Sequence, residues 1–136
     1  MAANNPDVLA LMEIARRWPH RFVRTEMLSV GTAGADTVRP AATVNKSGAG
    51  WAPDVANFMM TVQESTAAAQ ARRLLGDRYL RVNHIPSRRH PAFENMDFAN
   101  DDTRAVLLDA GAATAKAAYT GNTAFIDRML TEQRRG

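Results

Sequence analysis

Met27-Leu28-Ser29-Val30-Gly31-Thr32-Ala33-Gly34 is the stretch on which the fold class turns. Its apolar residues are nearly continuous, the pattern of a strand buried on both faces in a parallel sheet. The reading places this strand at 22–30, with the glycines ending it sharply. A second strand is expected over Arg78 to Asn83, where Tyr79, Leu80 and Val82 supply β-forming residues. Between them lies a long helix, from about Trp51 to Leu75. Val55, Phe58, Met59, Val62, Thr66, Ala69 and Arg73 share one of its faces, and Gly76 is its stop.

Outward from this unit the pattern is helical. Asn4-Asn5-Pro6-Asp7 opens a helix: an asparagine precedes a proline suited to the first helical position, and Asp7 meets the positive helix end. Val8, Leu11, Met12, Ala15 and Trp18 form its stripe, and Pro19 ends it. Residues 35–49 and 85–100 read as loops, carrying Pro40 in the first and Pro86 and Pro91 in the second. Asp101-Asp102-Thr103 starts a further helix with the stripe Val106, Leu107, Ala110, Ala113 and Ala117. Asn122-Thr123 caps a last one, with Phe125, Ile126, Met129 and Leu130 inward and a frayed tail at 134–136. The order helix, strand, helix, strand, helix, helix argues for an α/β architecture. Two strands are too few for a stable sheet, so the chain reads as the end of a larger one whose upstream strands are missing.

Composition narrows the chemistry. The 136 residues fit one domain or part of one, and 46% are hydrophobic while only 7% are aromatic. Such an alanine-rich core is thin, because each alanine buries little area. There is no cysteine, which excludes disulfides, thiolate metal sites and cysteine nucleophiles. No run approaches the roughly 20 apolar residues that span a bilayer. Met1 to Asp7 has neither a basic nor an apolar leader segment, so the expected compartment is the cytoplasm. The net charge is +3, carried mostly by arginine.

No reactive constellation emerges from spacing alone. Gly31 to Gly34 completes neither a phosphate loop nor a dinucleotide fingerprint, and reads as a tight strand exit. Ser47, in Asn45-Lys46-Ser47-Gly48-Ala49-Gly50, lacks the preceding strand and the glycine of a nucleophile elbow. His20, His84 and His90 have no helical metal-ligand spacing. Asp101 and Asp102 read as helix-capping carboxylates rather than an acid–base pair. Arg72, Arg73, Arg78, Arg81, Arg88 and Arg89 have only Tyr79 among them for base stacking. They read as a solvated face or one touching lipid headgroups, and nucleic acid is disfavoured. No catalytic, cofactor-binding or metal-binding residue is therefore assigned.

Four segments, in order, carry a resemblance to the bacterial patatin-like phospholipases, a family of lipid acyl hydrolases. Asn4-Asn5-Pro6 with Val8-Leu9-Ala10-Leu11 is similar to the segment after that family's catalytic Asp-Gly-Gly or Asp-Gly-Ala turn. Met27-Leu28-Ser29-Val30-Gly31-Thr32 resembles its Leu-Ser-Leu-Gly-Thr-Gly strand exit, interrupted here by Ala33. Tyr79-Leu80-Arg81-Val82-Asn83 resembles its Tyr-x-Arg-(Ile/Val)-(Asn/Asp) strand, and Asp101-Asp102 its later helix start. The resemblance covers about 4–120 of the chain and implies the carboxy-terminal part of a three-layer α/β/α domain. In the family a serine–aspartate dyad hydrolyses lipid acyl esters beside a glycine-rich oxyanion loop, without a metal.

The serine, the aspartate and the oxyanion loop all lie upstream of the matched segments. The resemblance thus implies a truncated member, inactive alone, with membrane phospholipid or a lipid ester as the family's substrate. Its expected partners are the missing amino-terminal half or a second copy at the exposed sheet edge, and it could sit peripherally at a membrane. The alternative is a non-enzymatic basic module for anionic lipid or nucleic acid.

Overall fold

The computed structural model describes residues 5–32, 48–86, 93 and 100–133. The elements run α1 (Asp7–Arg17), α2 (Pro19–Phe22), β1 (Met27–Val30), α3 (Gly48–Leu75), a 3-10 turn (Gly76–Arg78), β2 (Tyr79–Val82), α4 (Asp101–Gly121) and α5 (Thr123–Gln133). β1 and β2 pair in parallel as a two-stranded sheet, so the chain is a mixed α/β structure dominated by helix. It divides into two compact units: Met1–Met27 with Thr37–Leu80, and Leu28–Asp36 with Arg81–Gly136.

The first unit is organised around the start of β2. Tyr79 is buried and donates its hydroxyl to Oδ2 of buried Asp7 at 2.6 Å. Asp7 sits in the first turn of α1, where a carboxylate also meets the helix dipole. Pro6, expected at the first helical position, is instead the N-cap, and Asn5 before it accepts the N–H of Asp7 with its Oδ1 at 3.0 Å. Its Nδ2 donates to the carbonyl of Glu64 in α3 at 3.2 Å, which ties the start of α1 to that helix. Leu11, Ala71, Leu75 and Tyr79 form the buried apolar cluster, with Phe22 and Met27 packed at its margin.

Arg78 closes the unit on another side. Its Nη1 donates to the carbonyls of Phe22, Val23 and Thr25 at 2.8–3.0 Å, tying the end of α2 and the turn after it to the start of β2. The expected strand over 22–30 is therefore shorter, since Phe22 belongs to α2. Pro19 ends α1 as read, but a proline at the first helical position also starts a helix, and here it does. Gly76 ends α3 with φ +58, the left-handed geometry that glycine adopts without penalty.

Several predicted helix faces are not buried. Val55, Phe58, Met59 and Val62 of α3 are exposed, as are Met12 and Trp18 at α1 and Leu107 of α4. The part of α3 that is buried, at Ala71 and Leu75, lies outside the predicted stripe. In α3 the buried residues therefore lie on roughly the opposite face from the predicted stripe.

In the second unit α4 packs on α5. Asn100, not Asp101 or Asp102, caps α4: its Oδ1 accepts the N–H of Thr103 at 2.7 Å. The two aspartates lie exposed in the first turn, where only the dipole part of the reading applies. Nδ2 of Asn122, just before α5, donates back to the carbonyl of Ala118 in α4 at 3.0 Å. Residues 1–4, 33–47, 87–92, 94–99 and 134–136, and with them Asn4, Ser47, Arg88, Arg89 and His90, lie outside the described residues.

Replacing Tyr79 by phenylalanine keeps the packing and removes the bond to Asp7. The expected loss is about 1–3 kcal/mol in urea-induced unfolding. Leu11→Ala, which leaves a cavity, is expected to cost about 2–5 kcal/mol in the same measurement.

Candidate functional site

The polar chemistry of the second unit gathers where β1 and β2 end. Side chains alternate along a strand, so Ser29 and Gly31 share one face of β1 and its exit, and Arg81 and Asn83 one face of β2. The ladder continues one residue past β1: the N–H of Gly31 donates to the carbonyl of Val82 at 2.8 Å. This bond sets the register that brings the two polar pairs side by side. Ser29 is buried, and its Oγ accepts from Nη1 of Arg81 at 2.7 Å. A charged donor held this way is directed as well as strong.

Gly31 has a steric role rather than a conformational one. A Cβ at this position would lie 2.3 Å from Oδ1 of Asn83 and 2.7 Å from Nη2 of Arg81. Both contacts are inside van der Waals range, so a larger residue here would push these two side-chain ends aside. Oδ1 of Asn83 is itself buried and has no hydrogen-bond partner among the described residues. A buried carbonyl oxygen without a donor is costly, which makes this atom the exception to account for in the site.

His84 follows directly. Its Nδ1 lies 2.9 Å from Oγ1 of Thr114 in α4, and its ring sits 5.3 Å from that of Phe93, tilted by 33°. The contacts fix the ring from two sides and leave Nε2 outside them.

The residues weighed from the sequence are scattered by comparison. His20 is exposed in α2, and Asp101 and Asp102 are exposed on α4. Arg72 and Arg73 are exposed, but Arg78 and Arg81 turn into hydrogen bonds within their units, so the arginine run is not one solvated face. Among the described residues no His, Cys, Asp or Glu cluster could hold a metal ion, and no helix is long and apolar enough to cross a membrane. The sequence reading took Gly31 as a strand exit and Tyr79-x-Arg81-x-Asn83 as a strand. The polar residues at every second position of that strand were the available sign of a site.

Two exposed ion and phenol pairs lie elsewhere. Glu13 accepts from Arg16 and Arg17, and these bonds hold its carboxyl below the usual carboxylate range. Tyr119 donates to Oδ1 of Asp127 at 3.0 Å, and the bond to that acceptor raises its phenol above the ordinary value.

No family model, no curated protein and no solved structure matches the chain.

Gly31→Ala tests the close approach. It is expected to displace Asn83 and Arg81, break the Ser29 bond and lower stability by about 1–3 kcal/mol in thermal unfolding. Asp127→Asn is expected to return the Tyr119 phenol toward the ordinary tyrosine range in an absorbance titration.

Proposed function

We propose that this chain is the carboxy-terminal part of a patatin-like lipid acyl hydrolase domain, and that by itself it does not hydrolyse esters. The observation that carries the reading is where the resembling residues fall. Asn5, Ser29 and Tyr79, one from each of the first three segments, are all buried. Ser29 of the strand-exit segment bonds Arg81 of the Tyr-x-Arg segment, and Gly31 of the first packs on Asn83 of the second. Short motifs that meet in this way support one another better than motifs scattered over a surface.

The uncovered apolar residues fit the same reading. Leu28 and Val30 of β1 are 37% and 74% exposed, and the front half of α3 presents Val55, Phe58 and Met59. In a three-layer α/β/α domain such positions face further strands and helices. The partners are accordingly the rest of that domain, or a second copy at the strand edge, with membrane phospholipid or a lipid ester as the substrate of the assembled enzyme. The chemistry requires an attacking serine oxygen beside an aspartate and an oxyanion loop. None of the hydroxyls bonded in the described residues meets that arrangement: Ser29 is bonded to a guanidinium and Tyr79 donates to Asp7 as part of the core.

The purified chain is expected to show no turnover of p-nitrophenyl butyrate above buffer and no labelling by a fluorophosphonate. Turnover that the fluorophosphonate abolishes would overturn the reading, as would an upstream coding sequence lacking both a GxSxG and an Asp-Gly-Gly in frame.

A further inference from the structure

The corner between α1 and α2 presents a surface of mixed arginine and apolar character. Between Glu13 and Glu26 the chain holds Arg16, Arg17, Arg21 and Arg24 and no acidic residue. All four arginines are exposed. Glu13 accepts from the first two, and neither Arg21 nor Arg24 has an ion pair among the described residues. Two large apolar side chains stand among them: Trp18 is 44% exposed and Val23 70%. Met12 and Leu9 lie about one and two turns back on Arg16's side of α1, opposite buried Leu11, and are exposed as well. The corner is fixed from inside. The N–H groups of Trp18, Arg21 and Arg24 donate to the carbonyls of Ile14, Trp18 and Arg21 at 2.8–3.0 Å. Phe22 packs at the margin of the core cluster, and Arg78 holds the carbonyls of Phe22 and Val23.

The composition of the corner separates its partners. The exposed face of α3 at Val55, Phe58 and Met59 lies in a stretch without a basic residue from Trp51 to Ala71, which suits an apolar protein neighbour. A protein core laid over the α1–α2 corner would take four guanidinium groups out of water, which is costly unless each meets an acid. The headgroup layer of an anionic bilayer receives both kinds of side chain. Lipid phosphates match the planar donor fork of arginine, and tryptophan favours the headgroup level. Exposed apolar side chains enter the boundary with the acyl chains. Nucleic acid would engage the arginines, but it leaves Val23 and Met12 unused and finds one aromatic ring for stacking.

We propose that the α1–α2 corner, from Arg16 to Arg24, docks this chain on the surface of an anionic phospholipid bilayer. The arginines take the lipid phosphates, and Trp18 and Val23 sit at the boundary between headgroups and acyl chains. The assignment is independent of the acyl-hydrolase reading, since it requires adsorption and no ester chemistry.

The full 136-residue chain is tested by flotation with phosphatidylcholine vesicles, with and without phosphatidylglycerol. It is expected to float with the anionic vesicles and not with pure phosphatidylcholine. Trp51→Phe leaves Trp18 as the one tryptophan, and its emission is expected to move to shorter wavelength on the anionic vesicles. Arg21→Gln with Arg24→Gln is expected to weaken partitioning about thirtyfold, from the usual contribution of a basic residue near an anionic surface. Val23→Ser is expected to weaken it as well, while Arg72→Gln with Arg73→Gln, exposed on α3, changes it about twofold or less. Circular dichroism reports that each variant is folded. Equal losses from the two arginine pairs would make binding a matter of net charge and overturn the assignment to this corner. Equal flotation with neutral vesicles, or no flotation of the unsubstituted chain, would overturn it whatever the variants do. Retardation of DNA at the same salt without flotation would give the corner to nucleic acid and overturn it too.

Discussion

The hydrogen bond from Tyr79 to Asp7 is the constraint around which the first unit is arranged. It joins the first residue of β2 to the first turn of α1, residues far apart in sequence, and it does so in a buried setting. A buried carboxylate is tolerable only when it is bonded, so the geometry of both elements is held to the reach of one phenol. Leu11, Ala71 and Leu75 then fill the space that the pair defines. Asn5 and Arg78 extend the same principle by giving side-chain partners to backbone groups at helix ends and loops.

Polar bonding matters so much here because the apolar core is thin. Only four hydrophobic side chains among the described residues are buried, and one is an alanine. At roughly 25 cal/mol per Å² such a cluster contributes little beside the entropy of ordering the chain. Large apolar residues sit instead on outward faces of α3, α4 and β1, where they yield no stabilisation in the isolated chain. These faces are the physical basis for reading the chain as part of a larger domain.

The second unit repeats the pattern on a smaller scale, with a polar centre in place of an apolar one. Ser29, Arg81 and Asn83 lie on inward positions that strand alternation would ordinarily give to valine or isoleucine. Such departures from local rules cluster at functional sites, because stability alone does not favour them.

The sequence by itself determined the element types and their order, except for α2, whose last residue it read as strand. Gly76 ended α3, Pro19 ended α1, and the residues around Met27 and Tyr79 formed the two strands, because each depends on backbone preferences a few residues wide. It also marked the apolar faces, through periodicity. It did not determine which face of α3 is covered: Ala71, off the predicted stripe, is buried, and Phe58, on it, is exposed. Nor did it show that Asn100 rather than Asp101 caps α4, or that Gly31 packs against the side chains of Asn83 and Arg81. The Asn100 cap turns on local geometry finer than residue type. The rest are contacts between residues distant along the chain, and only tertiary structure decides which of several suitable partners a group will meet.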